Sequence, residues 1–373
     1  MKNVAVFFGG VSVEHDISVI TGVLTLNSLD KSIYNPVPIY IDRDGKWYTG
    51  ETLFNVSNYK NLNYKKLNAV TLFAGDRTLY KLHGGRHKKI VDLDAGINCI
   101  HGVCGEDGAL AGYAKMCPFA FCSPDIYSSS FSMDKHFTKQ VLKGIKVKCL
   151  NDVCISRGHY YKDEDEFIKR VEKTTSYPAI VKPASLGSSI GIKVCKDRQE
   201  LRYALDTAFC YDEKVIVEKA LLNCTEINCA AYKTDDKIII SECEQPIPKE
   251  EILSFKDKYL NYKNGADKKF PADIPEEISK KIKQTTKHIY ESCGFRGVIR
   301  ADYLVADGVV YLNELNTVPG SMAYYLFCKS MKEFSSMLTS IIIQGEKEFK
   351  DSQRTKRTYY SNILNIENVN GKK

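Results

Sequence analysis

Apolar positions along this chain follow two periods, and the switches between them mark its elements. Residues 4–8 (VAVFF) form an unbroken apolar run that stops at Gly9-Gly10, as in a strand buried on both faces. Beyond SVEHD the spacing lengthens to that of a helix, through Ile17, Ile20, Val23 and Leu24. Strand, glycine turn and helix in that order open an α/β layer. VPIYID (37–42), IVDLDAGINCIHG (90–102) and FAFCS (119–123) predict further strands. The polar, Tyr/Asn/Lys-rich stretch from Trp47 to Lys89 reads as an elaboration on the same layer.

The texture changes at Ser130. FSMDKHFTKQVLKG predicts a helix, VKCLNDVCIS short strands, and Asp163 to Lys173 an acidic-basic helix. YPAIVKPASLGSSIGIKVC then predicts a strand, a Pro turn, a Gly/Ser loop and a second strand. KVIVEKAL begins a third region. It holds a hairpin turning at Asp235-Asp236, the loop ILSFKDKYLNYKNGADKKF, a helix from about Pro275 to Cys293, the hairpin VIRADYLVADGVVYLNELN and a closing helix. The organisation expected is an α/β domain over 1–123, a central domain over 124–218, a C-terminal domain over 219–350 and a loose polar tail over 351–373.

Composition narrows the class. A chain of 373 residues with 43% hydrophobic and 27% charged positions is globular and exceeds a single ordinary core. The net charge of +7 is spread out, so nucleic acid is not indicated, and a small anionic ligand needs only a few of the cations. No stretch reaches the length of a membrane span, and the first residues do not form a signal peptide. The 13 cysteines are scattered without Cys-x-x-Cys spacing and read as reduced thiols of a cytoplasmic protein.

Candidate chemistry concentrates in three places. In RADYLVADGVVYLNELN (300–316), Asp302 lies on one strand of a hairpin, with Glu314 and Asn316 two apart on the return strand. Oxygen side chains converging from paired strands suit a hard cation such as Mg²⁺, with substrate phosphates completing its shell. The bland alternative is a solvated face with incidental acids. A second place pairs Lys135, at the head of a helix, with Lys182 and the loop SLGSSIG. There Gly187, Ser188, Ser189 and Gly191 can offer backbone N–H groups to a phosphate. Neither the P-loop nor the dinucleotide fingerprint is present, and taken singly the loop is a turn, the lysines surface charges and Glu226 an acid beside a strand. Third, two glycine-rich turns follow strands, GGVSVEHDIS and HGVCGEDGALAG, in which Glu14 and His101 could hold an ammonium and a carboxylate. Each is otherwise a turn or capping residue.

Taken in order, FGGVSVEHDIS, HGVCGEDG, MDK, IVKPASLGSSIG, VEKALLNCTEIN, LSFKDKY, RADY and NELNTVPG resemble the D-alanine-D-alanine ligase family of the ATP-grasp superfamily. The resemblance implies three α/β domains, with ATP between the second and third and amino acids at the floor. It implies that Lys135 and Lys182 hold phosphates and that the loop at Ser188 and Ser189 closes over them. Glu218 and the backbone at Lys219 would meet the adenine, and Glu226 the ribose. Lys258 and Tyr259 would belong to a mobile loop that shuts the site. Asp302, Glu314 and Asn316 would bind two Mg²⁺ ions, with Mn²⁺ as an alternative. Arg300 and the Gly320 N–H would stabilise an oxyanion, and Glu14 would take the first ammonium in a bonded set with Ser188 and Tyr259. The family also implies amino acid substrates, a homodimer and a role in peptidoglycan synthesis.

Two departures stand out. The family's Ser for the acceptor carboxylate falls on Tyr325 within SMAYYLF, and the usual charged pair before the Gly-Ser-Ser loop is Ser185-Leu186. Both leave the nucleotide half intact and open the acceptor to D-alanine, D-serine, D-lactate or another amino acid. Ser321 is the expected replacement hydroxyl. A non-catalytic nucleotide-binding protein is the remaining alternative, and the complete set of lysines and metal-type ligands argues against it.

Overall fold

The strand expected at VAVFF runs Lys2–Gly9 in a computed structural model of the chain, which describes residues 1–247 and 268–361. It pairs in parallel with Tyr34–Ile41 on one side and Ala95–Asn98 on the other. Its unbroken apolar run is explained by burial from both faces. Val4, Val6 and Phe8 meet the helices His15–Ser28 and Met331–Gln353, while Ala5 and Phe7 pack with Leu110, Ala114 and Phe119.

The stretch 47–89 proves to extend this sheet. Trp47–Thr49, Asn68–Thr71, Thr78–His83 and Arg86–Asp92 continue it as an antiparallel meander, making eight strands in all. The strand expected over 90–102 is therefore two, Arg86–Asp92 at the sheet edge and Ala95–Asn98 in its interior. Asp94 anchors the crossing: its carboxylate accepts the Asn3 N–H at 2.9 Å and pairs with Arg77 at 3.0 Å.

The helix expected from Ser130 is also two, Ile126–Met133 and Lys135–Gly144. Asp134 breaks it with φ −89° and ψ 108°, and its carboxylate caps the second helix by accepting the N–H groups of His136 (2.9 Å) and Phe137 (3.0 Å). A four-stranded antiparallel sheet follows, in the order Lys193–Cys195, Ala179–Pro183, Lys214–Lys219, Asp152–Ser156. The helices Glu164–Thr174 and Arg198–Phe209 share its core.

A second four-stranded sheet has the order Lys237–Ile240, Thr225–Thr234, Val298–Ala306, Val309–Asn316. Both expected hairpins are present, with left-handed turn residues Asp235 (φ 48°), Asp236 (φ 60°), Asp307 (φ 50°) and Gly308 (φ 72°). One face of this sheet, with Ile227, Cys229, Ala301, Tyr303 and Leu315, packs with helix Glu276–Ser292. The period of two sends Glu226, Asn228, Arg300, Asp302, Glu314 and Asn316 to the opposite face. The closing helix Met331–Gln353 runs past the expected start of the tail at 351. All 13 cysteines are free thiols, and no helix among the described residues is long and apolar enough to cross a membrane.

Candidate active site

A cavity of about 570 Å³ opens between the two four-stranded sheets and the C-terminal end of the first parallel strand. The candidate site residues line it except Gly191, which does not, and Lys258 and Tyr259, which lie outside the described residues.

The hairpin face supplies one wall. Asp302 lies directly across from Glu314 and Arg300 across from Asn316, so four functional side chains share one face by register alone. Arg300 grips Asp302 with two parallel bonds, Nε to Oδ1 and Nη2 to Oδ2, both 2.7 Å, and the Asn316 amide donates to Asp302 Oδ2 at 2.9 Å. Glu314 sits 3.9 Å from Lys135 Nζ. Two carboxylates and an amide are a hard-oxygen set that fits Mg²⁺, with phosphate oxygens completing the shell. A register shift between Asp302 and Tyr303 leaves Asn313 as an extra residue, and this bulge turns its side chain onto the cavity wall.

The cations come from the other side. Lys135, on the first turn of its helix, is 8% exposed and donates to the Leu186 carbonyl at 2.6 Å; burial lowers its pKa, with Glu314 opposing. Lys182 bonds Glu218 Oε2 at 3.0 Å and Asn313 Oδ1 at 2.9 Å, while Lys139 bonds the other oxygen of Glu218. Burial by itself would raise the Glu218 pKa, but the two lysines hold it down to about 2, so this carboxylate is an anion throughout the physiological range.

The Gly/Ser loop closes against the first domain. Ser188 donates to Glu14, and a Cβ at Gly187 would stand 3.0 Å from Glu14 Oε2 and press on that carboxylate. Ser188 and Ser189 both have left-handed backbones (φ 57° and 59°), the kind of local strain that surrounding contacts must hold in place. Deeper in, His101 is buried with Nε2 3.0 Å from Thr21 Oγ1; burial, then Arg300, lower its pKa to about 3, so the imidazole is neutral. Glu106 accepts the N–H groups of Gly102 (2.9 Å) and Val318 (3.2 Å), and burial together with Glu14 raises it to about 8.

The last wall is Gly320–Leu326, in which Ser321, Met322 and Ala323 are all left-handed (φ 53°, 55° and 50°). The Ser321 N–H donates to Thr21 Oγ1 at 3.0 Å. Tyr325 remains on the cavity wall, its hydroxyl 3.4 Å from Arg300 Nη1 and its ring 4.6 Å below Lys268 Nζ.

Sequence reasoning missed Lys139, Asn313, Glu106 and Thr21. Lys139 was within reach, since it follows Lys135 by one helical turn, and Glu106 lies inside the flagged turn HGVCGEDG. Asn313 had no signal, because only the bulge turns it inward.

The fold and the cleft between the two antiparallel sheets are those of an ATP-grasp protein with an α/β N-terminal domain. Residues 3–124 match the family described as D-ala D-ala ligase N-terminus, and residues 141–344 the one described as D-ala D-ala ligase C-terminus. Curated relatives named D-alanine--D-alanine ligase include that of Thermosipho melanesiensis, 36% identical over 98% of this chain and 99% of its own, and one of Campylobacter jejuni, 32% identical over 91% and 92%. Among solved structures, the D-Alanine-D-Alanine Ligase from Helicobacter pylori is similar with a TM-score of 0.73 and 30% identity, covering 91% of this chain and 98% of its own. The VanG D-Ala:D-Ser Ligase from Enterococcus faecalis is similar with a TM-score of 0.77 and 26% identity, covering 92% and 99%. The chain belongs to the D-alanine–D-alanine ligase family.

Proposed function

We propose that this protein joins two D-alanine molecules into D-alanyl-D-alanine with conversion of ATP to ADP and phosphate, supplying a precursor of peptidoglycan. The observation that carries the reading is one cavity holding buried lysines, two carboxylates and an amide on one strand face, and an arginine beside them. A carboxylate oxygen is a poor leaving group, so the donor's carboxylate first attacks the γ-phosphorus and ADP departs, leaving an acyl phosphate. Lys135 and Lys182, which line the cavity, would neutralise charge in that step. Asp302, Glu314 and Asn316 would hold the divalent cations, two Mg²⁺ or Mn²⁺ in this reading, which when bound offset phosphate charge.

Glu218 and the backbone at Lys219 would meet the adenine and Glu226 the ribose, while Ser188 and Ser189 would lie over the phosphates. Glu14, oriented by the Ser188 hydroxyl, would take the donor's ammonium. The acceptor's amine then attacks the carbonyl carbon, phosphate leaves, and a proton is lost from the new amide nitrogen. Negative charge builds on the carbonyl oxygen, where Arg300 and the Gly320 N–H are donors of the right kind. Lys258 and Tyr259 would shut out water that could hydrolyse the acyl phosphate. The reading also expects a homodimer in the cytoplasm, with neither nucleic acid nor membrane as partner.

A second reading keeps the ATP half and changes the acceptor to D-serine, D-lactate or another amino acid. Tyr325 favours it, because a phenol projects into the cavity where the family's pattern has a smaller serine. The similarity to a solved D-Ala:D-Ser ligase points the same way. Measuring ADP release with D-alanine alone and with a panel of second substrates, with products identified by mass, tests both. D-alanyl-D-alanine as the dominant product supports the first reading, and robust turnover only with another acceptor replaces it with the second.

A further inference from the structure

Three charged side chains in direct contact lie almost wholly out of solvent at the cavity wall: Lys139 (2% exposed), Glu218 (1%) and Lys182 (6%). The lysines take one carboxylate oxygen each. In every other respect they differ. Lys182 lines the cavity, and its second acceptor is Asn313 Oδ1 at 2.9 Å, on the bulge of the opposite wall. Lys139 does not line the cavity, and its second acceptor is the main-chain carbonyl of Leu150 at 3.1 Å. An anion entering the cavity can therefore draw Lys182 away, whereas Lys139 is held in place.

Two cations around one anion leave a surplus positive charge in a desolvated place, which favours an incoming anion. The converse matters more. If Lys182 turned to a phosphate and Glu218 had no other partner, a bare carboxylate would remain buried, at a cost that would oppose the move. We propose that Lys139 is the standing counter-ion of Glu218, a positioning residue whose charge frees Lys182 to engage a phosphate of the nucleotide. This deepens the ATP-binding reading and rests on it. Helix Lys135–Gly144 thereby serves the site twice from one face: Lys135 reaches the cavity, and Lys139, one turn on, holds Glu218 from behind the wall.

The test is a double-mutant cycle in the full-length protein, read as the affinity for a non-hydrolysable ATP analogue by calorimetry without amino acids. Lys139→Met should weaken the analogue by about tenfold or more, because Lys182 is then the one cationic partner of Glu218 among the described residues and is retained by it. Adenosine, which has no phosphate to draw Lys182 away, should lose much less, and Lys139→Arg should restore most of the affinity. With Glu218→Gln already present, adding Lys139→Met should cost less than about threefold, since no carboxylate is left to protect. Equal weakening by Lys139→Met with and without Glu218→Gln overturns the proposal, as does equal loss of adenosine and the analogue. If Lys139→Met does not fold, Lys139→Gln, which removes the charge and keeps a donor, takes its place in the same cycle with the same results expected. Wild-type protein that binds the analogue but makes no dipeptide sinks the ligase reading and leaves this one standing.

Discussion

Tyr325 is the residue on which acceptor choice turns. Burial raises its pKa, so the phenol stays protonated and can donate, and it stands within reach of Arg300 on the cavity wall. The sequence pointed instead to Ser321. That side chain also borders the cavity, but its backbone is left-handed and its N–H is already given to Thr21. If Tyr325 meets the acceptor's carboxylate, Tyr325→Phe should raise the acceptor's KM by one to two orders of magnitude, the worth of about 1.5 to 3 kcal/mol for a hydrogen bond to a charged group. Ser321→Ala should change it little, and the reverse ranking in steady-state kinetics restores Ser321. His101 supports a second prediction at this scale. Its folded pKa of about 3 lies below the ordinary 6.5, so between those values the unfolded chain binds the extra proton. Stability from this group is complete above pH 6.5 and is lost as pH falls toward 3. Denaturant titrations should show a shallower fall for His101→Gln than for wild type across pH 6.5 to 4.

At the scale of elements, Asp134 joins helix stability to nucleotide chemistry. It ends one helix, caps the next, and so sets Lys135 on the first turn with its N–H on the Ala184 carbonyl at 2.9 Å. Asp134→Ala should cost about 1 kcal/mol of stability by chemical denaturation and also raise the KM for ATP, and Asp134→Asn should retain most of the cap. The sequence pattern showed a continuous helical period through this residue, because periodicity does not register a one-residue break. It was more informative for the hairpin 298–316. There the alternation and the Asp-Gly tip identified both the turn and the face carrying Asp302, Glu314 and Asn316. The meander over 47–92 was harder to read because its outer strands are partly solvated, so their apolar signal is weak.

At the scale of the molecule, helix Met331–Gln353 ties the chain's end back to its beginning. It packs on strand Ala120–Phe121 of the large sheet and on strand Thr225–Thr234, which carries Glu226 to the cavity. Gly345 permits the closest approach: an added Cβ would fall 2.5 Å from Cys122 Sγ and 3.1 Å from its Cα. Although alanine favours a helix by about 1 kcal/mol, Gly345→Ala should lose about 1 to 2 kcal/mol net, because the helix must lift from Cys122. A raised melting temperature would refute this packing. The sequence by itself determined the α/β layering, both hairpins, and many but not all of the residues that the cavity gathers, since each of these depends on local period, turn chemistry or a motif contained in a few neighbouring positions. Tertiary structure alone decided the pairing of Glu218 with both Lys139 and Lys182, the inward turn of Asn313 at a bulge, and the place of Tyr325 beside Arg300. Those contacts join residues far apart in the chain, and their geometry exists only once separate sheets have packed around a common cavity.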